Sequence, residues 1–164
     1  MEPEVHIIEK YFQEKLHCFT MTNIRCKGGK EIDLLAIDPR SLKRFHVESR
    51  IAIKFKLRDK ATYTNDGRCH RDGIDYFSRE KFEHPLIKEK IREIFGTDDY
   101  SKILVVWEIE GEDLVEKALA QYGLQLMSLK SIIKGFLSEQ KMFGSRDDVL
   151  RVMELVYLVK QEDT

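Results

Sequence analysis

The 164-residue sequence predicts an α/β protein with a mixed central sheet and helices packed on it. Three observations carry this. An amphipathic helical stretch opens the chain, three strand-like segments follow at short turns, and strands then alternate with helices.

Glu4 to Leu16 reads as the opening helix, because Val5, Ile8, Phe12 and Leu16 recur at helical spacing. At 100° per residue, Glu9 falls on the border of that apolar stripe. Thr20 to Cys26 reads as a first strand, and Lys27-Gly28-Gly29-Lys30 as a turn. Glu31 to Asp38 is a second strand ended by Pro39. Phe45 to Leu57 reads as a long third strand, with Ile51, Ile53, Phe55 and Leu57 alternating against Ala52, Lys54, Lys56 and Arg58.

A polar loop, Lys60 to Arg71, turns at Asn65-Asp66-Gly67. Helical stretches are expected over 73–82 and 85–95, with Pro85 in a first turn and Gly96 just past a C-terminus. The Ile, Leu and Val run within Lys102–Ile109 marks a buried strand. Asp113 to Gln121 is a helix stopped by Gly123, and Leu124 to Leu129 a short strand. Helices over 131–140 and 147–160 end the chain, the last capped by Ser145. Its apolar face (Val149, Met153, Val156, then Leu158 or Val159) covers the sheet or binds a second copy of the chain as a homodimer.

An apolar content of 42% and a charged content of 35% fit a soluble globular protein. The longest apolar run, Ile103 to Trp107, is far too short to span a membrane. Three cysteines and no charged-then-apolar leader point to a reduced, cytoplasmic setting. Charge is uneven: residues 40–71 hold ten Lys/Arg against three acids, and residues 108–164 hold seven against eleven. The basic region suggests an anionic partner, and a solvated basic strand accounts for it equally well.

Asp33 and Glu48 each lie inside an otherwise apolar, β-prone run. A carboxylate there needs a partner or a cation. A hairpin turn centred near Ser41 sets Asp33 opposite Ser49 and beside Glu48, so a bulge or shift is needed to bring both acids to one face. Mg²⁺ takes such oxygen donors and completes its shell with waters and substrate phosphate. Each acid alone also reads as an ordinary strand residue bonded to amides or to a neighbouring cation. Cys69-His70 with the other Cys and His residues matches no compact zinc spacing. Phe77 and Phe82 read as helix core, and Tyr63 and Tyr76 as candidates for stacking on bases.

The stretch Gly28-Gly29-Lys30-Glu31-Ile32-Asp33-Leu34-Leu35-Ala36, then Val47-Glu48-Ser49-Arg50, preceded by a helix bearing Glu9, resembles the PD-(D/E)xK nuclease superfamily. Within it, the archaeal Holliday-junction resolvase-like branch is most similar. The motif covers about residues 4–58, and element order extends it to about 129. The resemblance implies one domain with a restriction-endonuclease-like αβββαβ core over about 4–129 and a helical extension over about 131–160. It implies an endonuclease hydrolysing phosphodiester bonds in DNA, branched DNA included. Asp33 and Glu48 would hold Mg²⁺ or Mn²⁺ with the Ser49 carbonyl, and Glu9 would reach the ion through water. Arg50 stands where the family has lysine. The basic residues Lys54, Lys56, Arg58, Arg68 and Arg71 would contact the nucleic acid.

Arginine keeps its proton at any working pH, so Arg50 orients or stabilises but cannot act as a base. Three readings follow: an active nuclease with an arginine variant, a nuclease-fold protein that has lost catalysis and only binds nucleic acid, and an interaction protein built on its acidic half and last helix.

Overall fold

The computed structural model of the protein describes residues 2–52, 55–138, 147–153 and 155. Helix α1 (Pro3–Glu14) turns Val5, Ile8 and Phe12 inward, where none exceeds 3% exposure. It ends before Leu16, which is left exposed and outside the stripe it was expected to extend. Strands β1 (Phe19–Arg25), β2 (Glu31–Ile37) and β3 (Arg44–Arg50) form an antiparallel meander. The chain then crosses to β4 (Ser101–Val106), parallel to β3, and to β5 (Leu124–Ser128), parallel to β4. The sheet order is β1-β2-β3-β4-β5, a mixed α/β sheet as the sequence predicts.

One face is closed by α1 and α5 (Leu129–Ser138), whose Ile8, Phe12, Ile132 and Phe136 pack on Leu34, Ala36, Val47 and Val105. Residues 148–153 are helical, and Val149 and Met153 join this layer. His6 and Lys10 on α1 both reach Asp147 at the start of that segment, at 2.8 and 3.4 Å. The rest of the last helix, with Ser145, Val156, Leu158 and Val159, lies outside the described residues.

The opposite face carries α2 (Ile74–Phe77), a π-helical turn (Ser78–Phe82), α3 (Pro85–Phe95) and α4 (Glu112–Tyr122). Ile87 and Ile91 of α3 are wholly buried against Ile32 and Leu35, each worth roughly 2 kcal/mol of transfer free energy. Gly96 takes the left-handed conformation (φ 70°) that closes α3, as its position predicts. Phe77 and Phe82 are core residues, also as expected. Among the described residues, no helix is long and apolar enough to cross a membrane.

The third strand is shorter than expected. It stops at Arg50, where its partner β4 also ends at Val106. Among the described residues no strand pairs with the chain beyond that point, and Phe55 N–H donates to the Ala52 carbonyl (2.8 Å). Ile51 packs on the α1 side of the sheet, whereas Phe55 and Leu57 pack on the α2–α4 side. The alternating ridge of Ala52, Lys54, Lys56 and Arg58 therefore does not continue β3, and Lys54 lies outside the described residues.

Candidate functional site

The β2–β3 register decides whether the two acids meet. Asp38 organises the turn: its carboxylate accepts from Arg40 N–H (2.9 Å) and Ser41 Oγ (2.6 Å), and its own N–H donates to the Lys43 carbonyl (2.9 Å). Leu34 consequently faces Val47, and Leu35 faces His46. This is one residue away from the register expected for a turn centred at Ser41. The paired ladder stops at Leu34–Val47, and beyond it Asp33 bonds Ser49. Ile32 and Leu35, three residues apart, pack together on the α3 side, while Leu34 and Ala36 pack on the α1 side, so the alternation of β2 is broken between Ile32 and Leu35.

Asp33 sits where β2 and β3 part. Its Oδ2 accepts two hydrogen bonds from Ser49, from the backbone N–H at 2.7 Å and from Oγ at 2.8 Å. Burial, and then the Glu48 charge, push its carboxyl up to about 6, although Lys81 and the Ser49 donors pull the other way. Ser49 thus fixes Asp33 through its amide and hydroxyl; a role for its carbonyl rests on the resemblance alone.

Glu48 is only 1% exposed. A carboxylate so buried is stable only when paired. His46 Nε2 lies 2.9 Å from Glu48 Oε1, and Lys81 Nζ lies 2.7 Å from Oε2. His46 is itself fully buried, its ring centroid 4.7 Å from that of Phe82. Lys81 comes from the π-helical turn, a wide turn that swings a side chain off the α-helical path. Burial alone would lower the Lys81 ammonium, but Glu48, its hydrogen bond and Asp33 more than reverse this and raise it. Lys81 also donates to the Glu31 carbonyl (3.4 Å).

Asp33 faces an open polar cleft of about 490 Å³ lined by Glu2, Val5, Asn23, Arg25 and Glu31. The pair offers the oxygen donors a hard divalent cation takes, two carboxylates in one field, one of them raised by burial and then by the charge of the other. Among the described residues, no group of three His, Cys, Asp or Glu side chains converges to hold a metal ion.

The other expected site residues lie elsewhere. Glu9 belongs to a separate polar cluster at the start of β1, accepting from Thr20 Oγ1 (2.9 Å) and Gln13 Nε2 (3.2 Å), with His6 Nδ1 3.9 Å away. The α1–β1 packing turns it toward Thr20, which faces Ala36, three residues along β2 from Asp33. Arg50 is exposed, and its guanidinium carbon lies 5.5 Å from the Phe55 ring centroid. Cation–π contact with an apolar neighbour, not the carboxylates, sets its direction.

Lys56 pairs with Glu110, Arg58 with Asp72 (3.4 Å) and Arg68 with Asp66 (3.0 Å). Arg71 is exposed at the end of the same loop. Tyr63 is also exposed there, facing Cys69 across an isolated bridge.

Sequence reasoning missed His46 and Lys81. His46 carried a signal, since it stands two residues before Glu48 on one strand and so shares its face. Lys81 carried none, because its reach depends on a π turn within a run of charges.

No protein-family model matches the chain, and no curated protein matches it in sequence. Among solved structures, it is similar to a crystal structure of a protein of unknown function, AF1548. The two share 13% identity at a TM-score of 0.48, over 90% of this chain and 73% of that one.

Proposed function

We propose that the chain is a metal-dependent endonuclease of the PD-(D/E)xK type that hydrolyses phosphodiester bonds in DNA. The observation that carries the reading is the Asp33–Glu48 pair with the Lys81 ammonium 2.7 Å from Glu48. In this reading Lys81 stands in for the lysine that the motif lacks at Arg50. It supplies positive charge beside the carboxylates and can stabilise charge developing on a phosphate. Ser49 holds Asp33, and His46 holds Glu48, so both carboxylates are oriented before substrate arrives. Asp33 and Glu48 would hold Mg²⁺ or Mn²⁺, which offsets negative charge at the phosphate when bound.

Incubation with labelled duplex, single-stranded and junction DNA in Mg²⁺ or Mn²⁺ tests this. Cleavage is expected, with loss of at least about 100-fold for Asp33→Ala and for Lys81→Ala. No cleavage above the Asp33→Ala control, on any of these substrates, overturns it.

A second reading, a fold that binds nucleic acid without cutting it, is favoured by Arg50 resting against Phe55. Arg50→Lys separates the two. Where Lys81 serves, the rate stays as it was; a gain of cleavage marks a site decayed at Arg50.

A further inference from the structure

On the α3 side of the sheet, cross-strand neighbours form two rows over β1, β2 and β3: Phe19–Ile37–Arg44 and Met21–Leu35–His46. The last residues of α3, Ile94 and Phe95, close over them to form an open pocket of about 250 Å³. Ile37 lies four residues along β2 from Asp33, roughly 13 Å, so the pocket is apart from the carboxylate site.

The pocket is apolar except at one end. Arg44 is the one charged side chain among its lining residues. Its Nη1 donates to the Leu42 carbonyl (3.2 Å), while its Nε is buried with no hydrogen-bond partner. Among the described residues, no other guanidinium has a buried nitrogen left in this way. An unpaired buried donor on a charged group is costly, and a bound acceptor removes the cost. The edge that Leu42 leaves free, Nε with Nη2, is one that meets a carboxylate through two parallel hydrogen bonds.

Three features narrow the ligand. The carbonyl end of α3, with its partial negative charge, borders the pocket, so a single guanidinium balances one negative charge and not the two of a phosphate monoester. A 150 Å³ cavity takes benzene, so this volume takes roughly ten non-hydrogen atoms. From Arg44 on β3 to Phe19 on β1 is two strand spacings, roughly 10 Å, which calls for an elongated molecule. At that far rim Phe19 and Met21 are 70% and 51% exposed, an apolar wall for a tail to cover. A partner's strand suits the place less well. Although β1 is an edge strand, Asn23 at φ 51° interrupts its ladder, leaving Phe19–Thr22 as the regular edge beside the pocket.

We infer that this pocket binds a small amphiphilic monocarboxylate, its head on the Arg44 Nε edge and its apolar tail crossing β2 to end between Phe19 and Met21. The site is independent of the nuclease reading.

The test is titration calorimetry of the full chain with octanoate, which has ten non-hydrogen atoms, and with 1-octanol, its uncharged counterpart. Octanoate is expected to bind at one site with a Kd of about 1 mM or below, and octanol at least about tenfold more weakly. Arg44→Gln removes the preference for octanoate over octanol, and Arg44→Lys recovers only part of it, because an ammonium lacks the fork. Phe19→Ala, at an exposed position, weakens octanoate by about threefold. In methyl NMR spectra the shifts caused by octanoate gather at Leu35, Ile37 and Ile94.

The inference is overturned if octanoate fails to bind below about 10 mM, if octanol binds as tightly, or if Arg44→Gln binds octanoate as wild type does. Methyl shifts that fall outside the pocket mark an adventitious additive only and overturn it too. So does sedimentation showing a wild-type dimer that Phe19→Asp separates, since a second copy of the chain then fills the pocket. Should Arg44→Gln fail to fold, the octanoate–octanol comparison on wild type and on Phe19→Ala still decides.

Discussion

Two charged regions of the molecule handle charge in opposite ways. At the end of the sheet, half-buried Asp33 and buried Glu48 lie in one electrostatic field, with one ammonium, Lys81, acting on both. In the loop leading to α2, acids and bases alternate at the surface, and Lys56, Arg58 and Arg68 each find a carboxylate. A count of charges along the sequence ranks the loop first. Burial ranks it second, because exposed pairs are worth little and buried ones dominate their surroundings. The lesson is that unbalanced, desolvated charge, not abundant charge, marks the place where chemistry can be done.

The largest effect expected from this contrast is a pH dependence. The folded Asp33 carboxyl is raised from an ordinary 3.8 to about 6, so the folded chain holds this proton longer than the unfolded chain does. The contribution is fully present below about pH 4 and is lost as pH rises through about 6. Relative to Asp33→Asn, wild type should lose up to about 3 kcal/mol across that window, measured by urea unfolding at several pH values. Equal pH profiles for the two proteins would show that Asp33 is not desolvated. Saturating Mn²⁺ should remove most of the loss.

Lys81→Met comes next. It leaves Glu48 buried with only His46, which costs about 2 kcal/mol at neutral pH, less than a fully buried pair because a third of Lys81 stays in water. It should also move the Asp33 titration upward, since Lys81 now holds that carboxyl down. An unchanged titration would mean that the two groups do not share a field.

Gly73→Ala tests the base of the loop. A Cβ there would lie 2.0 Å from the Ala61 backbone nitrogen, so the loop must shift, for about 1–2 kcal/mol. The loss should appear as faster hydrogen exchange at Ala61 and Thr62, whose amides donate to Asp75 and Asp72. Protection as in wild type would show that the loop gives way at no cost. Smallest of all is Lys56→Ala, expected within about 0.5 kcal/mol of wild type, because its pair with Glu110 is open to solvent. A larger loss would put the two regions on the same footing.

Much of the fold was legible in the sequence because it is written in short-range terms. Apolar spacing gave α1, Pro85 and Gly96 bounded α3, and the Ile103–Val106 run marked β4. The end of β3 was not legible, because alternation through Leu57 fits a strand whether or not a neighbour exists to pair with it. The carboxylate pair was legible as residues but not as a register, since one residue in the Asp38–Lys43 turn decides which side chains face each other. Glu9 illustrates the same limit: its helix and face were read correctly, but its position along β1 depends on how α1 docks. Lys81 lies more than thirty residues from Glu48 in sequence, and nothing local ties them.

The π-helical turn at Ser78–Phe82 has a consequence for how this protein can vary. Such a turn is equivalent to one extra residue in an α-helix. Deleting a single residue there would let the segment relax to ordinary winding and re-aim the side chains inside the turn by up to about 100°. Lys81 and Phe82 would leave Glu48 and His46 together, removing the counter-charge and its apolar backing in one genetic event. A lineage could therefore gain or lose the ammonium by insertion or deletion, with every strand residue of the site untouched.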